Sequence, residues 1–535
     1  MKKLLVANRG EIALRIFRAC RDEGIAVVAV VAADDTGSLH ARSAAEVVEI
    51  ASYLDPAEHV RAARETDADA VHPGYGFLAE SAELAEAVLH AGLTWVGPPP
   101  AALRAGGDKL AAKETARAAG VPVLPSGTPD EVGFPLVVKA AAGGGGRGMR
   151  VVRARGELDD ATDAARREAL AAFGDDTVFY ERYLERPRHV EIQLLADAHG
   201  TVVALGEREC SIQRRHQKVL EESPSPALDA ALRARMSDAA TAFARAIGYT
   251  SAGTVEFVLD GSDFFFLELN ARIQVEHPVT ELVTGVDLVR EQLRIAAGAR
   301  LDLQPTLNGH AIEVRLYAED PRSFLPQAGR VERLRLPEDI RVDAGVAEGD
   351  ETGTSYDPLI AKLIAHAPTR DRALDQLAAA LDETEVEGVT TNLPFLRWLV
   401  AHPVVRAGRT TTAFLTEHPA LSPAPLQATQ PAWSGAWRLN LSSPPPQASP
   451  ALDDSTLERA SAGEPSSVTA PMPGTVLKVL VAPGERVKAR QPLVVLEAMK
   501  METPLVSPYA ATVRAVHVDE GDRVAAGSLL IELEE

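Results

Sequence analysis

Near its C-terminus the chain repeats itself at an offset of 37 residues without a gap. Val476 matches Val513, Val479 matches Val516, Val481 matches Val518, Gly484 matches Gly521, Val487 matches Val524, and Leu493 matches Leu530. In each copy apolar and polar residues alternate up to a turn at Pro483-Gly484 or Glu520-Gly521, the pattern of half-buried strands joined by tight turns. Two such halves predict a small, flattened all-β barrel with pseudo-twofold symmetry. The copies meet at Glu497-Ala498-Met499-Lys500-Met501-Glu502-Thr503, which predicts Lys500 at a hairpin tip. Taken alone, a tip lysine is ordinarily a solubilising charge. Methionines on both sides of it serve no core, so the tip reads as something another molecule recognises.

The remaining length, in a chain of 535 residues, leaves room for about three or four domains in all. No apolar run is long enough to span a bilayer, and Asn8, Arg9, Glu11 and Arg15 interrupt any signal-peptide core after Met1–Ala7. A cytoplasmic protein without membrane association is expected. Two cysteines, Cys20 and Cys210, are too few for a disulfide framework or a cysteine zinc site. A formal net charge of −21 argues against nucleic acid as a partner. Anionic substrates would then be held by locally placed Arg and Lys.

The N-terminus reads as a strand (Lys3 to Ala7), a turn (Asn8-Arg9-Gly10), a helix (Glu11 to Glu23) and a second strand (Ile25 to Ala32). That opening is doubly wound in style but has no Gly-x-Gly-x-x-Gly, so it implies no dinucleotide. Further on, His72-Pro73-Gly74-Tyr75-Gly76-Phe77-Leu78-Ala79-Glu80 forms a tight loop between a short strand and a helix. Residues from Lys109 to Gly120 read as a helix and Phe134 to Lys139 as a strand, followed by Gly143-Gly144-Gly145-Gly146-Arg147-Gly148. The dinucleotide fingerprint fits as a bare pattern, but Met149 to Val152 continues as a strand where it requires a helix. A glycine hairpin between two strands can instead close over a polyphosphate and swing as a lid; the alternative is a plain surface loop. Lys109 and Lys139 would bring positive charge to the phosphates.

Acids embedded in apolar strands are costly unless something pairs with them. Glu256 lies in Thr254-Val255-Glu256-Phe257-Val258, and Glu268 in Phe264-Phe265-Phe266-Leu267-Glu268-Leu269-Asn270, with a turn at Gly261-Ser262-Asp263. The period of two puts Glu268 and Asn270 on one face, with Glu256 opposite on the partner strand. Such oxygen ligands suit Mg²⁺ or Mn²⁺ bridging ATP phosphates; a structural salt bridge is the competing reading. Arg272-Ile273-Gln274-Val275-Glu276-His277-Pro278 follows at once and adds a cation, an amide and a further acid.

These strings carry a family resemblance. Ala498-Met499-Lys500-Met501 resembles the biotinylation motif of biotin carboxyl carrier domains, with Lys500 as the biotin-bearing residue. The order Lys109, Lys139, glycine run, Glu256, Glu268, Asn270 resembles an ATP-grasp fold, and the string Arg272 to Pro278 narrows it to the biotin carboxylases. The likeness continues through Glu313 to Pro321, Arg341, and Tyr356 to Ile364, as far as about residue 420. It implies an α/β ATP-grasp biotin carboxylase with a doubly wound N-terminal domain (1–108), an ATP-grasp domain with a lid (109–310) and an α+β C-terminal domain (311–420). A Pro/Ser/Ala-rich linker (421–467) and a small all-β biotinyl carrier barrel (468–535) complete the chain.

The same resemblance implies residue roles. ATP would be bound by Lys109, Lys139, Gly144, Gly145, Gly146, Glu181 and Leu184 at the adenine hinge, His189, Gln213 and His216, and the metal by Glu256, Glu268 and Asn270. Arg272, Gln274 and the Val275 backbone would hold bicarbonate, with Lys218 on bicarbonate or its phosphorylated product and Glu276 as general base. Tyr75 would line the rim, and Arg341 would stabilise the biotin ureido anion. Ala142 and Arg182 depart from the usual glycine and lysine of the family.

A flexible 421–467 segment would span roughly 40 Å at rest and about 150 Å extended. Trp433 and Trp437 within it suggest a docking element. The residues beyond the carboxylase are too few for a carboxyltransferase domain, so the resemblance implies a hetero-oligomer with a separate carboxyltransferase β subunit, and a biotin protein ligase to load Lys500. An acyl-CoA carboxylase α subunit is the favoured function. Another acceptor, such as pyruvate or urea, and a biotinylated scaffold with a dead ATP site remain as alternatives.

Overall fold

Short apolar runs, too brief for helices, build the first layer of this computed structural model, which describes residues 1–141, 149–173, 175–214, 217–353, 355–421, 467–470, 474–498, 501–524 and 527–534. Strands Lys3–Val6 (β1), Ala26–Ala32 (β2), Glu46–Ile50 (β3), Ala70–His72 (β4) and Thr94–Trp95 (β5) form a parallel sheet in the order β3-β2-β1-β4-β5. Helix Gly10–Asp22 (α1) covers it, burying Ile12, Ile16, Phe17 and Cys20. The strand order reverses between β1 and β4, where a doubly wound sheet opens a crevice at its carboxyl ends. Asn8, just past β1, ties that crevice together: its Nδ2 donates to the carbonyls of Pro73 and Tyr75, both at 2.7 Å. Gly74 sits at φ +64°, and a Cβ there would lie 2.8 Å from Asn8 Nδ2, so the loop carrying Tyr75 needs glycine for both reasons.

Asp108 caps helix Lys109–Ala118 (α2), accepting from the amides of Leu110 and Ala111. Strands Ser126–Gly127 (β6), Leu136–Ala140 (β7), Arg150–Val152 (β8) and Val178–Arg182 (β9) make a small sheet in the order β6-β9-β7-β8. The two strands flanking the glycine run pair antiparallel as expected, with Val138 opposite Arg150. Gly144, Gly145, Gly146 and Ala142 lie outside the described residues.

A larger sheet carries the chemistry. It comprises Arg188–Ala196 (β10), Val202–Arg214 (β11), Gln217–Ser223 (β12), Ser251–Asp260 (β13), Asp263–Asn270 (β14), His310–Tyr317 (β15), Arg341–Ala344 (β16) and Leu359–Ala367 (β17). Their order is β14-β13-β10-β11-β12-β15-β17-β16. The expected division at 310/311 falls inside this sheet, because β12 pairs with β15 from Leu220↔Val314 to Ser223↔Ala311. A backbone edge buried at β12 requires such a partner. Helix His277–Thr284 (α3) packs on β11, β12, β15 and β17.

The chain divides into two units, and the C-terminal repeat belongs to the second. There, Ser467–Thr469, Leu529–Glu534, Ala511–Val516 and Arg486–Val487 form one sheet, and Met501–Val506, Pro492–Ala498, Gly474–Val479 and Arg523–Val524 the other. Each half lends its short strand to the other half's sheet: Val487 pairs with Ala511, and Val524, 37 positions after Val487, pairs with Gly474, 37 positions before Ala511. The repeat is thus written into the hydrogen-bond register. Its apolar positions, including Val476, Val513, Leu493 and Leu530, fill the core. Among the described residues, no helix is long and apolar enough to cross a membrane.

Candidate active site

A row of carboxylates crosses three adjacent strands. Glu191 on β10 stands opposite Glu256 on β13, and Glu256 opposite Glu268 on β14. Like charges directly opposite repel, so the row persists only with cations around it. Arg208, on β11 and fully buried, donates to Glu191 Oε1 at 2.5 Å, Gln193 Oε1 at 2.7 Å, Thr280 Oγ1 at 2.9 Å and Thr254 Oγ1 at 3.1 Å. Lys218 donates to Glu191 Oε2 at 2.5 Å, to Glu256 Oε1 at 2.7 Å and to Glu276 Oε1 at 2.7 Å.

Glu276 stands at the N-cap position of α3, its carboxylate making no cap bond, and is 0 % exposed. Its Oε2 accepts from Arg315 Nη2 at 3.0 Å. Burial alone would raise this carboxyl, but Lys218, Arg315 and Arg208 outweigh it and hold it well below the ordinary carboxylate range. Lys218 is shifted the opposite way: burial disfavours its charge, and Glu191, Glu256 and Glu276 restore it, raising its pKa well above the usual lysine value.

The segment after β14 brings the predicted bicarbonate groups together. Arg272 donates from Nη2 to Asn270 Oδ1 at 3.0 Å and from Nη1 to Gln274 Oε1 at 3.2 Å, and its Nε lies 3.1 Å from Glu80 Oε2. The Val275 carbonyl accepts from Lys362 Nζ at 2.9 Å. Lys362 also lies 3.2 Å from Glu11 Oε2, and Tyr75 donates its hydroxyl proton to Glu11 Oε1. Arg341 is held by Glu281 Oε2 at 2.7 Å and Asp343 Oδ2 at 2.9 Å.

On the nucleotide side, Lys109 opens α2, and burial lowers its pKa. Lys139 bonds Glu181 Oε2 at 2.5 Å, and Lys113 takes the other Glu181 oxygen. The Glu181 carboxylate is thereby paired with two lysines; Leu184 follows it, partly buried. His189, expected on the nucleotide, has its Nε2 2.7 Å from Glu256 Oε2 and its Nδ1 against Gln213 Nε2, which also donates to the Cys210 carbonyl at 2.9 Å. In this arrangement His189 and Gln213 brace a predicted metal ligand. His216 and Lys500 lie outside the described residues.

The residues expected to hold a metal lie close together. Asn270 Nδ2 donates to Glu256 Oε1 at 2.8 Å, so Asn270 and Glu256 share one locus. Among the described residues, none hydrogen-bonds or ion-pairs with the Glu268 carboxylate; burial and Glu256 raise its pKa, against a smaller pull from Lys109 and His189. A divalent cation between facing carboxylates would relieve that repulsion with hard oxygen ligands. Two further groups converge closely enough to hold an ion: His189 with Glu191 and Glu256, and Glu191 with Cys210 and Glu276. Their carboxylates are bonded by Lys218, Arg208 and Arg315, and Glu256 itself is bonded by Lys218 and Asn270.

Reading the sequence left out Glu191, Arg208, Arg315, Lys362, Glu11 and Lys113. For Glu191 the signal was available, since an acid inside the apolar β10 strand is the same anomaly that singled out Glu256. Arg208→Met should destabilise the large unit by about 3–5 kcal/mol, because Glu191 loses a buried counter-ion. Urea denaturation would read this as an earlier midpoint, with the C-terminal unit's transition unmoved; an unchanged midpoint would remove Arg208 from the supports of the row.

Comparison with known proteins agrees with this layout. Residues 1–103 match the model of the biotin carboxylase N-terminal domain, 108–304 that of the carbamoyl-phosphate synthase L chain ATP-binding domain, 313–417 that of the biotin carboxylase C-terminal domain, and 466–533 that of the biotin-requiring enzymes. The biotin-dependent acyl-coenzyme A carboxylase alpha3 subunit of Mycobacterium leprae is 41 % identical over 589 residues, covering 99 % of this chain and 98 % of that protein. The propionyl-CoA carboxylase alpha chain of Ruegeria pomeroyi is 46 % identical over 460 residues, 78 % of this chain and 68 % of its own. Among solved structures, the biotin carboxylase domain of Hydrogenobacter thermophilus 2-oxoglutarate carboxylase, in complex with MgADP, ADP and bicarbonate, superimposes with a TM-score of 0.76 at 42 % identity. It covers 78 % of this chain and 98 % of that one.

Proposed function

The chain belongs to the biotin carboxylases that carry their own biotinyl domain, the family of acyl-CoA carboxylase α subunits, and on that premise we propose that it carboxylates the biotin on its own Lys500 with ATP and bicarbonate. The observation that carries this reading is the placing of Glu276: a buried carboxylate beside Arg272 and Gln274 that shares Lys218 with Glu256. One cation thereby couples an acid–base site to a metal site.

Lys109 and Lys139 neutralise the ATP phosphates. Glu256, Glu268 and Asn270 would hold Mg²⁺ or Mn²⁺, which would supply charge neutralisation at the phosphates. Arg272, Gln274 and the Val275 backbone hold bicarbonate. Glu276 accepts its hydroxyl proton, so that the freed oxygen attacks the γ-phosphorus, the bond from phosphorus to the bridging oxygen of the β-phosphate breaks, and ADP leaves as carboxyphosphate forms. Lys218 stabilises the anion; as it leans toward the substrate its hold on Glu276 weakens, and the carboxylate becomes a stronger base. Carboxyphosphate breaks down to CO₂ and phosphate, the phosphate can take the ureido N–H proton, and the ureido nitrogen of the biotin that Lys500 would carry would then accept the CO₂. Arg341, clamped between Glu281 and Asp343, stands in one place to meet the ureido oxygen as charge develops there.

The domain limits 1–108, 109–310, 311–420 and 468–535, with the linker 421–467, are part of this reading. A separate carboxyltransferase β subunit completes the reaction on an acyl-CoA, and a biotin protein ligase loads Lys500. Cys20 and Cys210 are both free and buried, and burial pushes the Cys20 thiol up to about 12; inert thiols of this kind fit a reducing cytoplasm.

The decisive test is transfer of labelled bicarbonate, with ATP and Mg²⁺, by the complex purified from its native source against a panel of short and branched acyl-CoAs. Label on a CoA supports the reading. Label confined to the chain's biotin would move the acceptor to another class, such as pyruvate or urea, and no bicarbonate-dependent ATP cleavage would overturn the function. Glu268→Gln should raise the free Mg²⁺ needed for half-maximal ATP cleavage about tenfold, with one hard anionic ligand lost. Its thermal stability should hold or rise, since a repulsion with Glu256 goes too; an unchanged Mg²⁺ requirement would take Glu268 out of the metal set.

A further inference from the structure

Behind Glu276 lies a second buried carboxylate that the mechanism does not use. Glu221, on β12, is 0 % exposed, and its Oε1 is in ion-pair contact with Arg315 Nη2. The same Nη2 donates to Glu276 Oε2 at 3.0 Å. One guanidinium nitrogen thus stands between two carboxylates, of which only Glu276 borders the bicarbonate groups.

That geometry raises a problem for the proton transfer and also answers it. When Glu276 takes the bicarbonate proton it becomes neutral, and Arg315 loses an anionic partner in an enclosed setting. A buried cation left unpaired is strongly unfavourable, and that cost would oppose the transfer. We propose that Glu221 is a positioning residue that serves as Arg315's replacement counter-ion, receiving its hydrogen bonding when Glu276 is protonated and so keeping Glu276 a competent base. The bond made is O–H on Glu276, the bond broken is O–H on bicarbonate, and the electron pair stays on the bicarbonate oxygen that attacks phosphorus. The inference rests on Glu276 being the base.

The groups around Glu221 decide when it can play this part. From β15 it faces Arg315 and, directly opposite in register, Glu313. Glu276 approaches from the start of α3, Lys218 from its own strand, Cys210 from β11, and Lys362 of β17 lies beside Glu313. Both oxygens of Glu313 are buried without a hydrogen-bond partner, and burial raises that carboxyl well above its ordinary value, against the pull of Lys362 and Arg315. Burial also lifts Glu221; Arg315 pulls it back, Glu276 pushes it up again, and the result is about 7. Below that pH Glu221 holds a proton and cannot replace Glu276 as counter-ion; above it the replacement is ready.

The test is kcat for bicarbonate-dependent ATP cleavage against pH, with the full chain at saturating bicarbonate. The native chain should show a rise in kcat with an inflection near pH 7. Glu221→Gln keeps the shape and a carbonyl acceptor for Arg315 but no charge: kcat should fall about tenfold, with the KM for bicarbonate within about twofold, and the rise near neutrality should vanish. A Glu221→Gln profile superimposable on the native one overturns the inference and leaves the function standing. If the native chain itself cleaves no ATP in response to bicarbonate, the function fails and the inference with it. Should Glu221→Gln not fold, Glu313→Gln provides the second reading: an amide N–H donor facing Glu221 favours its ionised form, so the inflection should move to lower pH by about one unit. An inflection that stays where it is overturns the inference as well.

Discussion

Glu276→Ala should lower bicarbonate-dependent ATP cleavage by about a thousandfold or more, the scale of a removed general base with no neighbour able to stand in. The nearest acids are poor substitutes: Glu191 is bonded by Arg208 and Lys218, and Glu256 by Lys218 beside His189. The variant should nevertheless fold. Lys218 keeps Glu191 and Glu256 as partners, and Arg315 keeps Glu221, so neither cation is stranded when the Glu276 carboxylate goes. Loss of rate is then separable from loss of structure by comparing thermal unfolding of the two chains. Slow ATP cleavage without bicarbonate should persist, because the residues assigned to phosphate and metal are untouched. Bicarbonate-dependent cleavage within about tenfold of the native rate would sink the assigned role, whatever the family resemblance.

What could be read in the sequence, and what could not, divides along contact distance. The β13–β14 hairpin is local: a turn at Gly261-Ser262-Asp263 and a period of two are enough to face Glu256 with Glu268, and the register does so. The carrier repeat is also local, and its 37-residue offset reappears in the paired strands Val487 with Ala511 and Val524 with Gly474. The counter-ions of the site are not local. Arg208 reaches Thr280, Arg315 reaches Glu276 and Glu221, and Lys362 joins Glu11 to the Val275 carbonyl. Such contacts depend on sheet order, in which β12 lies beside β15 rather than beside its sequence neighbour β13. The same order carries one sheet across residues 310 and 311 and sets His189 of β10 against Glu256 of β13.

Lys500→Arg should carry no biotin at all while leaving the carboxylase half-reaction intact. An amine can be acylated as a free base, whereas a guanidinium keeps its charge at every accessible pH and its electrons delocalised, so it is no substitute as a nucleophile. The carrier should not notice the change. Its core is made of Val476, Leu493, Val513, Leu530 and their neighbours, and the flanking strands are held by backbone pairing up to Ala498 opposite Met501. Folding is therefore not the variable under test. Mass spectrometry of the variant, co-expressed with the native biotin-loading activity, should show the unmodified chain. Bicarbonate-dependent ATP cleavage with free biotin should continue near the native rate, since Glu276, Lys218 and Arg272 are unchanged, while label reaching any acyl-CoA should fall to background. Biotin found on the variant chain would refute Lys500 as its attachment point. Label still reaching a CoA without biotin on the chain would show that the carboxyl group travels by some route other than this carrier.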